Sequence, residues 1–466
     1  MVFSSITFLF YFLPVITVLY YLAPKSAKNP VLLLGSLFFY AWGEPTYVVL
    51  MLLSICGNYF CGRFLEEARD TGTPARELRL YFTGAVAWNL LILFFFKYVN
   101  LVIATINSLA GTDFSPWKLS LPIGISFYTF QVLSYVIDVY RGKVQAQRNF
   151  ISFALYVTMF PQLIAGPIVR YTDIEKELGD RKVTLAMAGK GADRFITGLG
   201  KKVLLANSFG AVFTEISGCP DQSRSVLLVW LGAVCFTLQI YFDFSGYSDM
   251  AIGLGKMFGF TFPENFQHPL ISTSVSEFWR RWHMSLSGWF REYLYIPLGG
   301  NRVSPLKNIR NILAVWLFTG LWHGASWNFL CWGLYFAVWL ILEKFILGKW
   351  LRQHTTAGHI YTILIVVVSF VIFAFTDFGA LGIYLKQMFL AGGIPLANAR
   401  FGYLLSNNWI LLVIGGVAST PVLLQVKQKL IRKIPALATF FNLLLLGSSI
   451  AYLVFQSYNP FLYFRF

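Results

Sequence analysis

Charged residues and cysteine are both scarce in this sequence of 466 residues. Lys, Arg, Asp and Glu together account for 12% of the chain, whereas 57% is hydrophobic and 18% is aromatic. A soluble domain carries about 25% charged residues, so this composition excludes an ordinary soluble protein. The five cysteines form no CxxC pair and indicate neither a disulfide framework nor a zinc site. The chain is predicted to be an all-α polytopic integral membrane protein.

The signatures of two enzyme classes are also missing. The sequence has no HExxH pair and no G-x-x-x-x-G-K-[ST] phosphate loop, and it lacks a G-x-S-x-G elbow. Metallohydrolase chemistry and ATP hydrolysis are therefore disfavoured, and no metal site is predicted. No internal repeat with a period of about 20 to 50 residues is present. The chain is interpreted as a single integral membrane domain over residues 1–466.

The net charge of +16 comes from basic residues that cluster between apolar runs. This pattern encodes membrane orientation, so nucleic-acid binding is not expected. The basic connecting segments, which should face the cytosol, include 63–79, 141–148, 170–194, 302–310 and 427–433. This distribution predicts an extracytoplasmic N-terminus.

Apolar runs follow one another along the whole chain, but several are too short or too interrupted to cross a bilayer. We expect about 11 transmembrane helices together with re-entrant and interfacial helices. Residues 1–23 have no basic segment at their start and no small-residue cleavage site at their end. They are interpreted as a retained first span and not as a removed signal peptide.

Residues 311–342 contain no Lys, Arg, Asp or Glu, and His323 lies near their middle. One straight helix of this length would measure about 48 Å, well over the ~30 Å hydrocarbon core. Gly320 and Gly324 bracket the histidine and tolerate a break. We therefore predict two helical pieces that meet at His323, either as a re-entrant hairpin or as a broken, tilted span. An ionisable side chain at such depth is costly, so a functional site is predicted there.

A second polar cluster lies within residues 274–302. A helix in this region would place an aromatic-rich stripe on one face, formed by Trp279, Trp282, His283, Leu286 and Phe290. The pattern predicts an amphipathic helix at the membrane boundary that ends at Pro297. Arg280, Arg281 and Arg302 either hold a phosphate group at the cytosolic surface or supply a positive-inside signal beside an aromatic belt.

Two acids, Asp243 and Asp249, lie at the end of another apolar run. They can orient a histidine, face a polar cavity or pair with a basic side chain. In the absence of a metal motif, the remaining chemistry for a buried histidine is that of a general base. Such a base removes the proton of an acceptor hydroxyl as the hydroxyl attacks an activated acyl group.

Five segments carry a family resemblance: FPQLIAGP (160–167), DFSGYSD (243–249), FWRRWH (278–283), YLYIPLGG (293–300) and GLWHGASWNF (320–329). Together they resemble the membrane-bound O-acyltransferases, in particular the bacterial alginate O-acetylation branch, and the similarity covers about residues 1–466. The resemblance implies that His323 matches the family's near-invariant histidine and that His283 matches its second site. It also implies a helical fold around a central tunnel, with acyl-CoA entering from the cytosol and an acceptor from outside.

The same resemblance supplies the remaining expectations. Residues expected to line the substrate tunnel are Trp279, Arg281, Trp282, Trp322, Asn328 and Asp243. Acetyl-CoA is expected as a donor substrate, with its phosphates near Arg280 and Arg302, and no bound cofactor is expected. The protein should lie among the lipids of a bacterial inner membrane and work with a periplasmic SGNH-esterase-like partner. Its expected acceptor is an alginate-like exopolysaccharide, with peptidoglycan, cellulose and teichoic acid as alternatives.

Two functions of other classes fit parts of the sequence. A transporter or flippase for a lipid-linked or acyl substrate would use intramembrane histidines as proton carriers. Inverted halves would favour that alternative, but the sequence shows none. A scaffold for polysaccharide assembly would leave acetylation independent of His323.

Overall fold

The computed structural model describes residues 1–390, 392–434, 436–456 and 459. Within these ranges the chain consists of helices and connecting loops without a β-strand, which confirms the all-helical class. The first ten α-helices are α1 (Leu13–Leu22), α2 (Lys28–Gly43), α3 (Tyr47–Asp70), α4 (Ala75–Ala110), α5 (Ile125–Tyr140), α6 (Phe150–Thr158), α7 (Phe160–Leu163), α8 (Tyr171–Gly179), α9 (Leu185–Gly200) and α10 (Asn207–Ser217).

The later part of the chain carries the helices around His283 and His323. The α-helices here are α11 (Val226–Met257), α12 (Val275–Arg281), α13 (Met284–Phe290), α14 (Pro305–His323), α15 (Trp327–Leu342), α16 (Gly348–Gln353), α17 (Thr355–Ala374), α18 (Phe378–Met388), α19 (Ala399–Ala418), α20 (Val422–Lys433) and α21 (Ala436–Phe455). Short π-helices cover Phe8–Phe12, Lys201–Ala206, Arg291–Tyr295 and Glu343–Leu347, and 3₁₀ turns cover Lys25–Ala27, Asp221–Ser223 and Pro269–Ile271.

Seven helices in the described part of the chain are long and apolar enough to cross a membrane. They are Tyr47–Asp70, Ala75–Ala110, Val226–Met257, Trp327–Gln353, Thr355–Ala374, Ala399–Ala418 and Ala436–Phe455, and Phe8–Leu22 is a shorter apolar helix. The sequence predicts about 11 crossings because each apolar run of sufficient length counts as one. The run 119–140 instead forms the shorter helix α5, and the run 150–165 forms α6 and α7.

Contacts divide the chain into two compact units, one of residues 1–195 and 249–263 and the other of residues 196–248 and 264–466. In the first unit α9 and the end of α11 approach closely. A Cβ on Gly253 would lie 2.6 Å from the Gly191 carbonyl oxygen, so only glycine allows this backbone contact. Asp249 pairs with Arg194 in the same unit at 2.8 Å, which is the structural pairing that the sequence leaves open.

The core of the second unit is rich in aromatic side chains. The Trp279 ring on α12 lies 4.5 Å from Trp316 on α14 and 5.0 Å from Phe336 on α15, measured between ring centroids. The buried carboxylate of Glu343 accepts hydrogen bonds from the N–H groups of Val275 and Ser276 at the start of α12. An acid at a helix N-terminus satisfies backbone donors that lack an intrahelical partner. These contacts hold the short helix α12 against α14 and α15.

Candidate active site

The two helical pieces predicted around His323 are α14 and α15, and they fold back on each other as a hairpin. A Cβ on Gly333 would lie 2.3 Å from the Trp316 carbonyl oxygen, and one on Gly320 would lie 2.4 Å from that of Phe329. This close contact of two backbones requires glycine at both positions. His323 is the last residue of α14, and Gly324 continues in an extended conformation. The hairpin, and not a broken straight span, is therefore the alternative observed.

Replacing Gly333 with alanine is expected to destabilise the hairpin by about 1–3 kcal/mol, because the new methyl group overlaps a backbone carbonyl that cannot move aside easily. The measurement is the free energy of unfolding of the purified protein in nanodiscs. Gly416→Ala on α19 is the matched control, since a Cβ there meets nothing within 4 Å. Equal stability of the two variants would contradict the close packing of α14 on α15.

His323 lies in an aromatic enclosure and is only 5% exposed. Its ring centroid lies 4.8 Å from Trp332, 5.4 Å from Phe373 and 5.0 Å from the adjacent Trp322. Asn328 donates hydrogen bonds to the carbonyl oxygens of Ile372 and Phe373, both at 3.3 Å. Asn328 therefore attaches the start of α15 to the end of α17 and fixes Phe373 as one wall of the enclosure.

The prediction of a single amphipathic helix within residues 274–302 is wrong. The chain forms α12 and α13 with a break at Trp282 and His283, and His283 adopts the left-handed conformation with φ 44°. Non-glycine residues rarely adopt this conformation, and histidine is among the few enriched there. The break turns His283 away from the regular stripe of a helix. Helical periodicity cannot represent such a residue, because it assumes constant φ and ψ.

His283 is fully buried between α11 and α14. Its ring centroid lies 4.6 Å from Phe244 and 5.8 Å from Trp322, and its Nδ1 is 3.2 Å from Oδ1 of Asn265. Trp322 therefore contacts both His283 and His323, which brings the two predicted catalytic residues to one place. His283 lies outside the seven long apolar helices. Burial, and then the nearby His323, lower the pKa of His283 well below its ordinary value, so the ring is neutral near neutral pH.

The remaining predicted tunnel residues take different positions. Trp282 is buried against Phe266 and Phe370, with ring centroids 5.0 and 5.2 Å away. Asp243 forms a buried ion pair with Lys202 at 2.7 Å. Arg281 forms an ion pair with Glu277 at 2.9 Å. The hydrogen bonds and ion pairs of Asp243, Arg281 and Asn328 stabilise the fold locally, and a contact of these residues with substrate remains a prediction.

A cavity of about 1090 Å³ opens beside α12 and the α14–α15 hairpin. Its inner wall includes Trp279, Trp316 and Thr319, and Thr319 lies one helical turn before His323. The ring centroid of Trp279 lies 5.7 Å from that of Trp332, and the ring centroid of Trp332 lies 4.8 Å from that of His323. The cavity thus ends close to the aromatic enclosure of His323.

Basic side chains surround the rest of this cavity, namely Arg280, Arg291, Lys344, Lys349 and Arg352. Arg280 lines this cavity, whereas Arg281 and Arg302 do not belong to its lining, and the binding of donor phosphates by these arginines stays a prediction. Sequence reasoning missed Arg291 and Asn265. Lys344, Lys349 and Arg352 follow the apolar run 311–342 in the sequence, and this basic flank is the signal that points to them.

Glu277 and the buried Glu343 are the two acids in the lining of the same cavity. Desolvation raises the pKa of Glu277. Hydrogen bonds from Thr273 and the charge of the Arg281 guanidinium lower it by more, so the net pKa lies below the ordinary value. The carboxylate is ionised and neutralises Arg281. The net charge of the lining remains positive, which suits a ligand with phosphate groups.

The chain is similar in sequence to proteins of one known family. A family model described as MBOAT, membrane-bound O-acyltransferase family, matches residues 144–387, which include both histidines. The chain is 38% identical to a "Probable alginate O-acetylase AlgI" of Azotobacter vinelandii and 39% identical to one of Pseudomonas putida, each over the full length of both chains. It is 34% identical to a "Peptidoglycan O-acetyltransferase" of Helicobacter pylori, covering 85% of this chain and 81% of the relative.

Proposed function

The chain belongs to the membrane-bound O-acyltransferase family, and we propose that it transfers an acetyl group from a cytosolic thioester to a hydroxyl on the far side of the membrane. Membership makes it a multi-pass membrane enzyme with O-acyltransferase activity. The proposal adds the donor, the direction of transfer and the residues that act. The observation that carries it is the pair of buried histidines on either side of Trp322, beside a cavity with a basic lining.

In this mechanism His323 is the general base. Its imidazole accepts the proton of the acceptor hydroxyl while the hydroxyl oxygen bonds to the thioester carbonyl carbon. The bond from that carbon to sulfur then breaks, and the imidazolium returns the proton to the leaving thiolate. His283 holds the reacting groups from the other side of Trp322. The aromatic walls around His323 exclude water, which would otherwise hydrolyse the thioester.

The cavity beside α12 supports acetyl-CoA as the donor. Its basic side chains suit the phosphates of CoA, and its aromatic inner wall suits the methyl and methylene groups of the extended arm that leads the thioester toward His323. CoA is consumed as a substrate here and is not a resident cofactor. Since the basic flanks of the His323 run are expected to face the cytosol, the donor would enter from that side.

The proposed acceptor follows from the relatives by analogy, and the proposed partner follows from the family resemblance. We propose an alginate-like exopolysaccharide as the final acceptor, because relatives that match over their full length are named alginate O-acetylases. A peptidoglycan acceptor is the alternative suggested by the Helicobacter relative. A periplasmic SGNH-esterase-like partner would complete the transfer, in a bacterial inner membrane with the N-terminus of this chain outside the cytosol.

The direct test is CoA release from acetyl-CoA by the purified full chain in nanodiscs, with and without a candidate periplasmic acetyltransferase and its glycan. CoA release that requires the periplasmic acetyltransferase and its glycan supports the proposal. If no donor is consumed with any acceptor while the same preparation moves a lipid-linked substrate across liposomes, the protein is a transporter and the proposal fails.

Reversing the charge of Arg280 tests the donor cavity. Arg280→Glu is expected to raise KM for acetyl-CoA about 10- to 100-fold, because a charge-assisted hydrogen bond contributes about 1.5–3 kcal/mol. The effect should shrink at high salt, whereas kcat should change little. Lys307→Glu on α14 is the matched control, since Lys307 is exposed and outside the lining. Equal KM values for the two variants would exclude this cavity as the donor site.

A further inference from the structure

Asn265 is a fully buried residue that the catalytic scheme above does not use. It lies in the loop between α11 and α12, and its carboxamide contacts three side chains. Its Nδ2 donates to Oγ of Ser248 at 3.1 Å, and its Oδ1 lies 3.2 Å from Nδ1 of His283 and 2.9 Å from Oγ of Ser285. One amide group thus touches α11, His283 and the start of α13.

The orientation of this amide follows from a backbone contact. The backbone N–H of Ser285 donates to the same atom of Asn265, Oδ1, at 3.2 Å. A backbone N–H is always a donor, so the atom that faces it must be the carbonyl oxygen and not the amide nitrogen. Oδ1 can only accept hydrogen bonds. The proton between Oδ1 and His283 therefore belongs to Nδ1 of the imidazole, and Nε2 carries the lone pair.

We infer that Asn265 is a positioning residue that holds His283 in the Nδ1–H tautomer, so that Nε2 is the acceptor atom offered to the substrate. This inference rests on the proposed function. With Nε2 as acceptor, His283 can accept a hydrogen bond from a second hydroxyl of the sugar acceptor and so aim the attacking oxygen, whose own proton goes to His323, at the thioester carbon. The opposite tautomer would present an N–H donor at Nε2 and could not accept that hydrogen bond.

Asn265 also holds the backbone of His283 in its unusual conformation. The backbone N–H of Met284 donates to the backbone carbonyl oxygen of Asn265 at 3.0 Å, and the backbone N–H of Gln267 donates to the backbone carbonyl oxygen of Arg281 at 2.9 Å. These two hydrogen bonds attach the loop to both sides of the break between α12 and α13. A non-glycine residue remains left-handed only where its surroundings fix it. Asn265 therefore fixes both the direction of the imidazole and the nitrogen that bears its proton.

Steady-state kinetics of three variants test the inference. Asn265→Ala should lower kcat for acetyl transfer by about 10-fold or more with KM for acetyl-CoA unchanged, because the imidazole loses the partner that selects its tautomer. Ser285→Ala is the matched control, since it removes another hydrogen bond to the same Oδ1 but leaves His283 in contact with it. An Asn265→Ala variant as active as the unmutated chain overturns the inference.

The pH profile of Asn265→Asp provides a readout that a merely structural role would not move. A carboxylate at this position still accepts from Nδ1, so the tautomer and part of the activity should be retained. Its negative charge would raise the pKa of His283. Because the neutral imidazole is the active form, the acid limb of the activity profile should move to higher pH by about one unit or more. An acid limb at the unmutated position overturns the inference.

A direct measurement of the tautomer separates this inference from the proposed function. Nitrogen-15 NMR of the full chain in nanodiscs, with labelled histidine and His283→Ala for assignment, distinguishes Nδ1–H from Nε2–H. An Nδ1–H ring supports the role of Asn265 even if acetyl-CoA proves not to be the donor, and an Nε2–H ring overturns it. If His283→Ala instead retains full CoA release, the proposed part of His283 in catalysis fails, whatever its tautomer.

Discussion

Replacing His323 with alanine is expected to reduce acetyl-CoA-dependent transfer by about 10²- to 10⁴-fold, the usual contribution of a positioned general base. The side chain lies at the end of α14, inside an enclosure formed by Trp322, Trp332 and Phe373. Its loss removes the proton acceptor but leaves the walls in place. The measurement is the rate of CoA release at saturating donor, so that a change in donor affinity does not enter the result.

Two controls make this result specific. His354→Ala alters an exposed histidine that stacks on Trp350, with ring centroids 4.9 Å apart, and it should retain full activity. The thermal unfolding midpoint of His323→Ala should lie close to that of the unmutated chain, because the Gly320 and Gly333 contacts of the hairpin do not involve the imidazole. A folded His323→Ala variant with unchanged CoA release would favour a scaffold role and reject the catalytic one.

Breaking the buried ion pair between Lys202 and Asp243 is expected to have the largest effect on stability. Both side chains are 2% exposed, and Nζ of Lys202 also donates to Oδ1 of Asn207 at 3.0 Å. Asp243→Ala should destabilise the protein by about 3–5 kcal/mol, because it leaves the ammonium group buried without its counter-ion. The measurement is the free energy of unfolding in nanodiscs or mild detergent.

The double variant Lys202→Met/Asp243→Leu tests whether the loss of stability comes from burying the Lys202 charge without Asp243 or from losing the Asp243 side chain itself. It should recover most of the lost stability, because replacing both charges by apolar side chains also removes the desolvation cost. Arg400→Ala is the surface control. Arg400 pairs with Glu215 at 3.5 Å with both side chains nearly half exposed, and such pairs contribute about 0–1 kcal/mol. If Asp243→Ala loses activity but no stability, Asp243 acts on the substrate, as the family resemblance predicts.

The candidate site depends on contacts between residues far apart in the chain. Trp322 touches His283 and His323, and Asn265 reaches His283 across the break between α12 and α13. Short-range patterns place each histidine on its own helix and do not relate one to the other. The family resemblance predicts that the two histidines act together without explaining how they are held. The structure supplies that explanation through one aromatic ring and one amide.

The sequence by itself determined the membrane class, the all-helical fold, the family and the break at His323. The reason is that each of these depends on local composition: a run without charges must be helical in a bilayer, and two glycines beside a histidine allow the helix to end. Recognition of the family likewise requires only short motifs, such as those around His283 and His323.

Only the tertiary structure decided the conformation of His283, the pairing of Asp243 with Lys202 and the different surroundings of Arg280 and Arg281. Arg281 faces Glu277 and is neutralised, whereas its neighbour Arg280 faces the cavity. Helical periodicity could not find the conformation of His283, because it assumes that α12 continues through that residue. The break is set by hydrogen bonds from the loop of Asn265 and Gln267, and such long-range contacts leave no periodic signal in the sequence.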